Sequence, residues 1–332
     1  MPFASHSQAV VIGLNAAIVA MLDGGPHVLA VRHVVPDPAK GVRPERDGLP
    51  FGPFEPFEHR TLEAGLRSWV KNQTGLDMGY VEQLYTFGDR GRHEVKPGEG
   101  PRVVSVGYLA LVRAQGAATA PDAAWRDWYA YFPWEDWRTA RPAAIDEAIL
   151  PRLKAWAAQG GAAREARWDR ARLCFGFDGL PWDEEKTLER YELLYEAGLV
   201  AEARIDGREF APSSQAVVEL GVPMIFDHRR ILATAIGRLR GKLKYRPVVF
   251  ELMPPEFTLL ELQRTVEAIS GAQVHKQNFR RLVESAGLVE GTGRMSAQAK
   301  GRPAEKFRFR REVLRERPAP GVKLTVARGG RR

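Results

Sequence analysis

Five polar side chains, Lys276, Gln277, Asn278, Arg280 and Arg281, fall within six consecutive positions near the C-terminal end of this 332-residue chain. A side-chain amide can offer adenine a paired donor and acceptor, and a guanidinium can donate two parallel hydrogen bonds to guanine. The chemistry that suits this set is the reading of base edges, Gln277 and Asn278 at adenine and Arg280 or Arg281 at guanine. Such residues need a rigid element to carry them. Phe279, Leu282 and Val283 supply the apolar side of a helix over about 276–285. Before it, Thr258 is a good N-cap for a helix whose apolar positions are Leu259, Leu260, Leu262, Val266 and Ile269, and Gly271 breaks that helix. After it, Leu288 and Val289 are expected to pair with Phe307 and Phe309 around a basic, glycine-rich tip. Two helices joined by a tight turn and followed by a basic β-wing form the layout of a winged helix-turn-helix. Thr258 joins the candidate DNA contacts, and Arg302, Lys306 and Arg308 are the candidate phosphate contacts of the wing.

Charge points the same way. Residues 276–332 hold 16 Lys and Arg against 5 Asp and Glu, a net of +11, while the whole chain is only +8. The remaining 275 residues are therefore slightly acidic. A basic segment of this kind attracts phosphate by releasing counterions. A solubilising tail is the bland alternative, and it suits Arg328, Arg331 and Arg332 beside Gly329 and Gly330. It does not suit Lys306–Arg310, where Phe307 and Phe309 alternate with Lys306, Arg308 and Arg310 at period two, as in a strand with one buried face.

Composition narrows the remaining classes. Cys174 is the single cysteine, set between Leu173 and Phe175, so it reads as a buried core thiol. The seven histidines are scattered without ligand spacing, and no metal site is assigned. No apolar run is long enough for a membrane helix, and MPFASHSQAV does not resemble a secretory signal, so a cytoplasmic setting is expected.

The N-terminal half opens with a β-hairpin over 9–35, turning at Asp23, Gly24 and Gly25. A Pro-Phe-Gly turn, an acidic loop and a helix from about Thr61 to Gly75 follow, with Leu62, Leu66, Trp69 and Val70 on one side. This stretch, 49–76, resembles a Nudix box, whose active members follow G-x5-E-x7-R-E-U-x-E-E-x-G-U, U being aliphatic. Gly52 and Glu58 match its first half, and Gly75 and Leu76 match its last two positions. The two metal-binding glutamates of the pattern fall on Asn72 and Gln73, and its Arg-Glu pair on Ser68 and Trp69. The spacing from Glu58 to Gly75 is also two residues longer than the pattern. Holding Mg²⁺ for pyrophosphate hydrolysis requires clustered carboxylates. Glu55, Glu58 and Glu63 leave too few at the required positions. No metal, no catalytic residue and no enzymatic activity are expected.

Residues 81–92 and 102–112, with the blocks 224–263, NFRRLVESAGLVEGTG and GRPAEKFRFR, are similar to the NrtR type of Nudix-related transcriptional regulators. The degenerate box and the extra segment 140–220 look closer to the NadQ-like alphaproteobacterial regulators of NAD biosynthesis. The resemblance implies an α/β Nudix-like sandwich, a mixed sheet between helices, plus a C-terminal α+β winged helix-turn-helix domain. The expected division is a degenerate Nudix-like sensing domain over 8–139, a helical extension over 140–222, a linker helix over 223–245, the winged helix over 246–316 and a basic tail over 317–332. By resemblance, the first domain binds a nucleotide effector, ADP-ribose, NAD or ATP, and no other cofactor is required. The linker helix would carry that event to the DNA-binding unit of a homodimer on a palindromic operator. Arg32, Arg60 and Arg102 are candidates for pyrophosphate contact, because guanidinium forks suit phosphate oxygens. Gly52 belongs to the former box loop, and Phe54, Phe57 and Phe87 are candidates to stack the base. Each could equally be a structural ion pair or a core aromatic.

In the middle of the chain, the aromatic strip over 125–137 reads chiefly as core, and 142–158, 163–172 and 182–198 read as helices. No chemical motif is visible there. Three functions compete: a repressor of NAD-metabolism genes, an active Nudix hydrolase of nucleoside diphosphate derivatives with an accessory nucleic-acid-binding domain, and an RNA-binding accessory protein. The absence of carboxylates from 68–73 favours the first over the second, and base-reading side chains at 277–281 favour DNA over RNA.

Overall fold

The computed structural model describes residues 10–34, 45–89, 102–113, 120–206, 220–296 and 303–316. The chain begins with β1 (Val10–Leu22) and β2 (Gly25–Val34), joined at Asp23 and Gly24, which have φ of 48° and 76°. Positive φ at both central residues gives the turn a twist that matches its flanking strands. There follow β3 (Glu45–Gly48), β4 (Phe51–Pro53), α1 (Leu62–Thr74), β5 (Tyr80–Phe87), β6 (Arg102–Leu111) and β7 (Ala123–Asp127).

These seven strands make one mixed sheet with the order β3-β2-β1-β6-β5, in which β4 also pairs with β1 and β7 with β2. The long β1 runs parallel to β6 along most of its length. On its other edge β2 pairs with Val19–Leu22, and β4 takes over at Gly13–Asn15. Alternation along β1 divides its side chains between two layers. Leu14, Ala16 and Ile18 meet Leu66 and Val70 of α1 on one face. Ala17 and Val19 join the larger core on the opposite face.

That larger core contains α2 (Trp128–Tyr131), α3 (Leu150–Ala158), α4 (Arg164–Phe175), α5 (Thr187–Glu196), α6 (Ala201–Ile205) and α7 (His228–Leu243). A short π-helical turn, Ile145–Ile149, leads into α3. Trp128, Tyr131, Phe132 and Trp134 are fully enclosed, as expected for most of the aromatic strip, and Cys174 is buried. The segment read as a linker helix forms α7, but eleven of its sixteen residues are buried. It packs across β1, β5 and β6 and beside α5 and α8 (Leu259–Ser270), so it is a central helix of the core.

The C-terminal part continues with α8, α9 (Lys276–Ser285), β8 (Val289–Met295), β9 (Glu305–Phe309) and α10 (Val313–Glu316). Phe257, Leu262, Val266, Ile269, Phe279 and Val283 belong to the same contiguous core as α7. Among the described residues, no helix is long and apolar enough to cross a membrane.

Candidate nucleic-acid interface and effector region

The start of α8 is fixed by a reciprocal capping box. The Thr258 hydroxyl accepts from the Glu261 N–H at 3.2 Å, and the Glu261 carboxylate accepts from the Thr258 N–H at 2.6 Å. Thr258 is 2% exposed, so its expected DNA contact is corrected to a cap facing the interior. At the other end of α8, Gly271 takes φ 72° and turns the chain toward α9.

Phe279 and Val283 bury one side of α9, as the spacing requires. Lys276, Gln277, Asn278, Arg280 and Arg281 are exposed together. None of these five side chains is hydrogen-bonded or ion-paired to another described residue. They form a continuous set of unused donors and acceptors on a helix whose backbone is held by its apolar side.

In the wing, Val289 pairs with Phe309 as expected, but Phe307 pairs with Gly291. Leu288 instead accepts from the Arg310 N–H at 3.0 Å. Phe307 also exchanges two backbone hydrogen bonds with Phe257, at 2.9 and 2.7 Å, which ties β9 to the segment before α8. Phe309 stacks on Phe250 at 4.3 Å. Arg308 is exposed but bound to Glu290 at 2.6 Å, whereas Lys306 is half-buried. Arg302 lies outside the described residues. Arg294, which the sequence reading passed over, is 74% exposed on β8 and pairs with Glu256 at 3.0 Å. Its position in the glycine-rich GTGRM run of the hairpin was the available signal.

Behind the turn between α8 and α9 lies a buried ionic cluster that the sequence reading did not find. Glu135 is fully enclosed and receives Arg190 through Nε at 2.6 Å and Nη2 at 2.9 Å, and Arg240 through Nη1 at 2.5 Å. Burial pushes the Glu135 carboxyl up, but the two guanidinium groups outweigh it and hold the group below its ordinary value. Arg240 also donates from Nε to the Ile269 carbonyl at 3.0 Å, and the Tyr129 hydroxyl donates to the Ala268 carbonyl at 2.7 Å. The signal was present in the spacing. Arg240 lies one helical turn after Ile236, and Arg190 lies among Thr187, Tyr191 and Leu194, so both occupy core-facing positions of their helices.

The former box helix is organised differently. Thr61 caps α1 by accepting from the Ala64 N–H at 3.1 Å, and Gly75 ends it at φ 73°. Gln73, at a metal-ligand position of the Nudix pattern, grips the backbone of Phe51. Its Oε1 accepts from Phe51 N–H at 3.1 Å and its Nε2 donates to Phe51 C=O at 2.6 Å. Trp69 donates from Nε1 to the Pro53 carbonyl at 2.8 Å. Its ring lies so close to Gly52 that any Cβ there would overlap it. Asn72 and Ser68 are exposed, and Glu63 pairs with Arg67 at 2.8 Å. Among the described residues, no three His, Cys, Asp or Glu side chains are placed to hold a metal ion together.

The candidate effector residues separate into two groups. Gly52 and Phe54 run beside Leu14 and Ile12 on one edge of β1. Arg102 pairs with Val10 on the other edge, near the same end, and donates from Nη2 to the Gly88 carbonyl at 2.9 Å. Phe54 is half-buried, 5.9 Å from the His59 ring, while Phe57 and Arg60 are exposed. Arg32 lies elsewhere, paired with Glu45 at 3.2 Å in a cleft of about 330 Å³ that it shares with Arg46, Asp47 and Arg126. No box-loop residue lines that cleft. Phe87 is corrected outright: at 1% exposure, with Arg230 over its ring at 5.0 Å, it is a core aromatic that cannot stack a base.

Residues 249–309 match the family model of the NrtR DNA-binding winged helix domain. The ADPR-responsive transcriptional repressor NtrR of Acinetobacter baylyi is 41% identical over 90 residues. That stretch is 27% of this chain and spans 36% of the relative's length. The crystal structure of Shewanella oneidensis NrtR in complex with a 27mer DNA is similar at a TM-score of 0.53 and 20% identity, covering 92% of this chain and 95% of that one. A MutT/nudix family protein from Enterococcus faecalis is similar at 0.50 and 14% identity, covering 92% and 88%. The fold is therefore a Nudix-like α/β sandwich followed by a C-terminal winged helix of the NrtR type.

Proposed function

We propose that this chain is a DNA-binding transcriptional regulator, acting as a repressor of NAD-metabolism genes, whose Nudix-like domain senses ADP-ribose or a related nucleotide such as NAD or ATP. The observation that carries this reading is the exposed set Lys276, Gln277, Asn278, Arg280 and Arg281, none of them engaged within the described protein, on a helix anchored by Phe279 and Val283. A helix presented in this way enters the major groove, where amide and guanidinium groups distinguish base pairs. Lys306 and Arg308, with Arg302, grip phosphate from the wing. The chain works as a homodimer, which places two such helices on the half-sites of a palindromic operator.

The Nudix-like domain is a sensor without hydrolytic activity. Residues 72 and 73 carry amides where the pattern needs two carboxylates, and Gln73 is already committed to the Phe51 backbone. Support for ADP-ribose comes from the name of the Acinetobacter relative, an ADPR-responsive repressor. The effector region is the end of the sheet between the box loop, Gly52–Arg60, and Arg102, where exposed arginines suit pyrophosphate. Selection of duplexes from a random pool by the full chain, followed by binding of the selected duplex with and without ADP-ribose, tests the proposal. The expected result is a sequence preference that ADP-ribose weakens. Uniform affinity for all duplexes would overturn it.

A further inference from the structure

We infer that the buried Glu135–Arg190–Arg240 cluster is the positioning group of the recognition helix, a role that rests on reading α9 as the base-reading element. The turn that aims α9 is bonded to α8 itself, through Gln263 and Glu267, and to the segment 129–138, while α7 reaches the last turn of α8. The last carbonyls of a helix lack partners within it and need outside donors. In α8 two of these are supplied from the core: Tyr129 Oη donates to Ala268 C=O at 2.7 Å, and Arg240 Nε donates to Ile269 C=O at 3.0 Å.

Beyond the helix the same pattern continues. Trp137 N–H donates to Gly271 C=O at 2.7 Å, and the Gln273 side-chain amide donates to Arg138 C=O at 2.7 Å. Gly271 sits so close to the Glu135 carbonyl, Arg240 Nη2 and Tyr129 Oη that a side chain there could not be accommodated. Glu135 is the group that holds the two arginines of the cluster. Its carboxylate neutralises Arg240 and, through Arg190, reaches the Cys174 and Asp183 carbonyls at 3.0 and 2.8 Å. Arg240 keeps one fixed orientation because every side of its guanidinium is met: Glu135, the Glu184 carbonyl, the Thr187 hydroxyl and Ile269. Three elements far apart in sequence thus converge on Arg240, whose Nε meets the Ile269 carbonyl two residues before Gly271. A buried ionic cluster adds little net stability over apolar packing, so the role inferred for this one is to hold its members in a single geometry. In this chain that geometry sets the direction of α9 relative to the Nudix-like sheet.

The test compares wild type with Glu135→Gln, Tyr129→Phe and the apolar replacement Glu135→Leu/Arg190→Leu/Arg240→Met, all in the full chain. Tyr129→Phe removes one hydroxyl and the apolar triple leaves no unpaired buried charge, so folded material is available even if Glu135→Gln unfolds. Affinities are measured for a duplex selected by wild type and for its scrambled version, well below the melting temperature of each variant. The expected result is a loss of roughly 10–100-fold on the selected duplex for Glu135→Gln or the apolar triple, the scale of a broken charge-assisted hydrogen bond. Tyr129→Phe is expected to lose roughly 2–10-fold, the scale of a neutral one. Scrambled-duplex affinity, set by the unchanged charge of α9 and the wing, should stay constant. A selected-to-scrambled ratio equal to wild type in every folded variant would overturn the positioning role while leaving the DNA-reading helix intact. A wild type that prefers no duplex would sink both.

Discussion

Two short amphipathic helices of this chain, α1 and α9, present polar side chains to opposite ends. In α1 most of the polar groups, exposed Ser68 and Asn72 apart, are spent on the protein itself: Gln73 on Phe51, Trp69 on Pro53, Lys71 on Asp77, and Arg67 on Glu63 and the Met78 carbonyl. In α9 none of the five polar side chains from Lys276 to Arg281 has a described partner. A helix that satisfies its own polar groups is scaffold, and one that leaves them unsatisfied at the surface is available to a ligand. Helix α1 thus braces the loop Phe51–Pro53, whereas the exposed polar face of α9 is the one proposed to read DNA.

Mutations at both helices can break that contrast. The largest effect is expected for Asn278→Ala combined with Arg280→Ala. Two base contacts worth about 1–3 kcal/mol each should vanish from the selected duplex, while scrambled DNA loses only the smaller share carried by the Arg280 charge. Equal losses on both duplexes would reduce α9 to a charged surface. Next comes Gly52→Ala, whose Cβ would collide with the Trp69 ring. Overpacking of this kind costs about 1–3 kcal/mol, seen as a lower melting temperature with DNA affinity intact. An unchanged melting curve would mean that the box loop is not seated on α1. Gln73→Ala should cost about 1–2 kcal/mol for two backbone hydrogen bonds. In the same protein, incubation of wild type with ADP-ribose and Mg²⁺ should give no turnover, and rates in the usual enzyme range of about 1–10³ s⁻¹ would return α1 to catalysis. The smallest effect belongs to the wing. Lys306→Ala should reduce the log–log salt slope by about one unit, and Arg308→Ala by less, because Glu290 already offsets Arg308. A slope unmoved by either would take the wing off the DNA.

Much of this contrast is legible in the sequence because it is local. Thr258 and Gly271 mark the ends of α8, helical spacing finds Phe279 and Val283, and the substituted acids of the box can be counted position by position. What escaped is what depends on distant partners. Phe87 ends its strand beside exposed Tyr85 and Thr86, where its type alone suits a ligand-facing aromatic, and only α7, over a hundred residues later, covers it with Arg230. Thr258 has the same hydroxyl whether it caps a helix or meets DNA, and the packing of Phe257 against β9 settles its direction. The register of β8 and β9 follows from Phe307 bonding to Phe257 on its free edge, a constraint outside the hairpin. Glu135, Arg190 and Arg240 are separated by 55 and 50 residues along the chain, so nothing local marks their meeting.

Nucleotide binding at the Nudix-like domain and DNA binding at the winged helix are proposed to be energetically linked. Titration of ADP-ribose into the free chain and into its complex with the selected duplex measures that linkage directly. Reciprocity requires that the factor by which ADP-ribose weakens DNA binding equal the factor by which DNA weakens ADP-ribose binding. The expected coupling is about 1–3 kcal/mol, a five- to roughly 150-fold difference between the two ADP-ribose affinities. Identical affinities in the two titrations would contradict it.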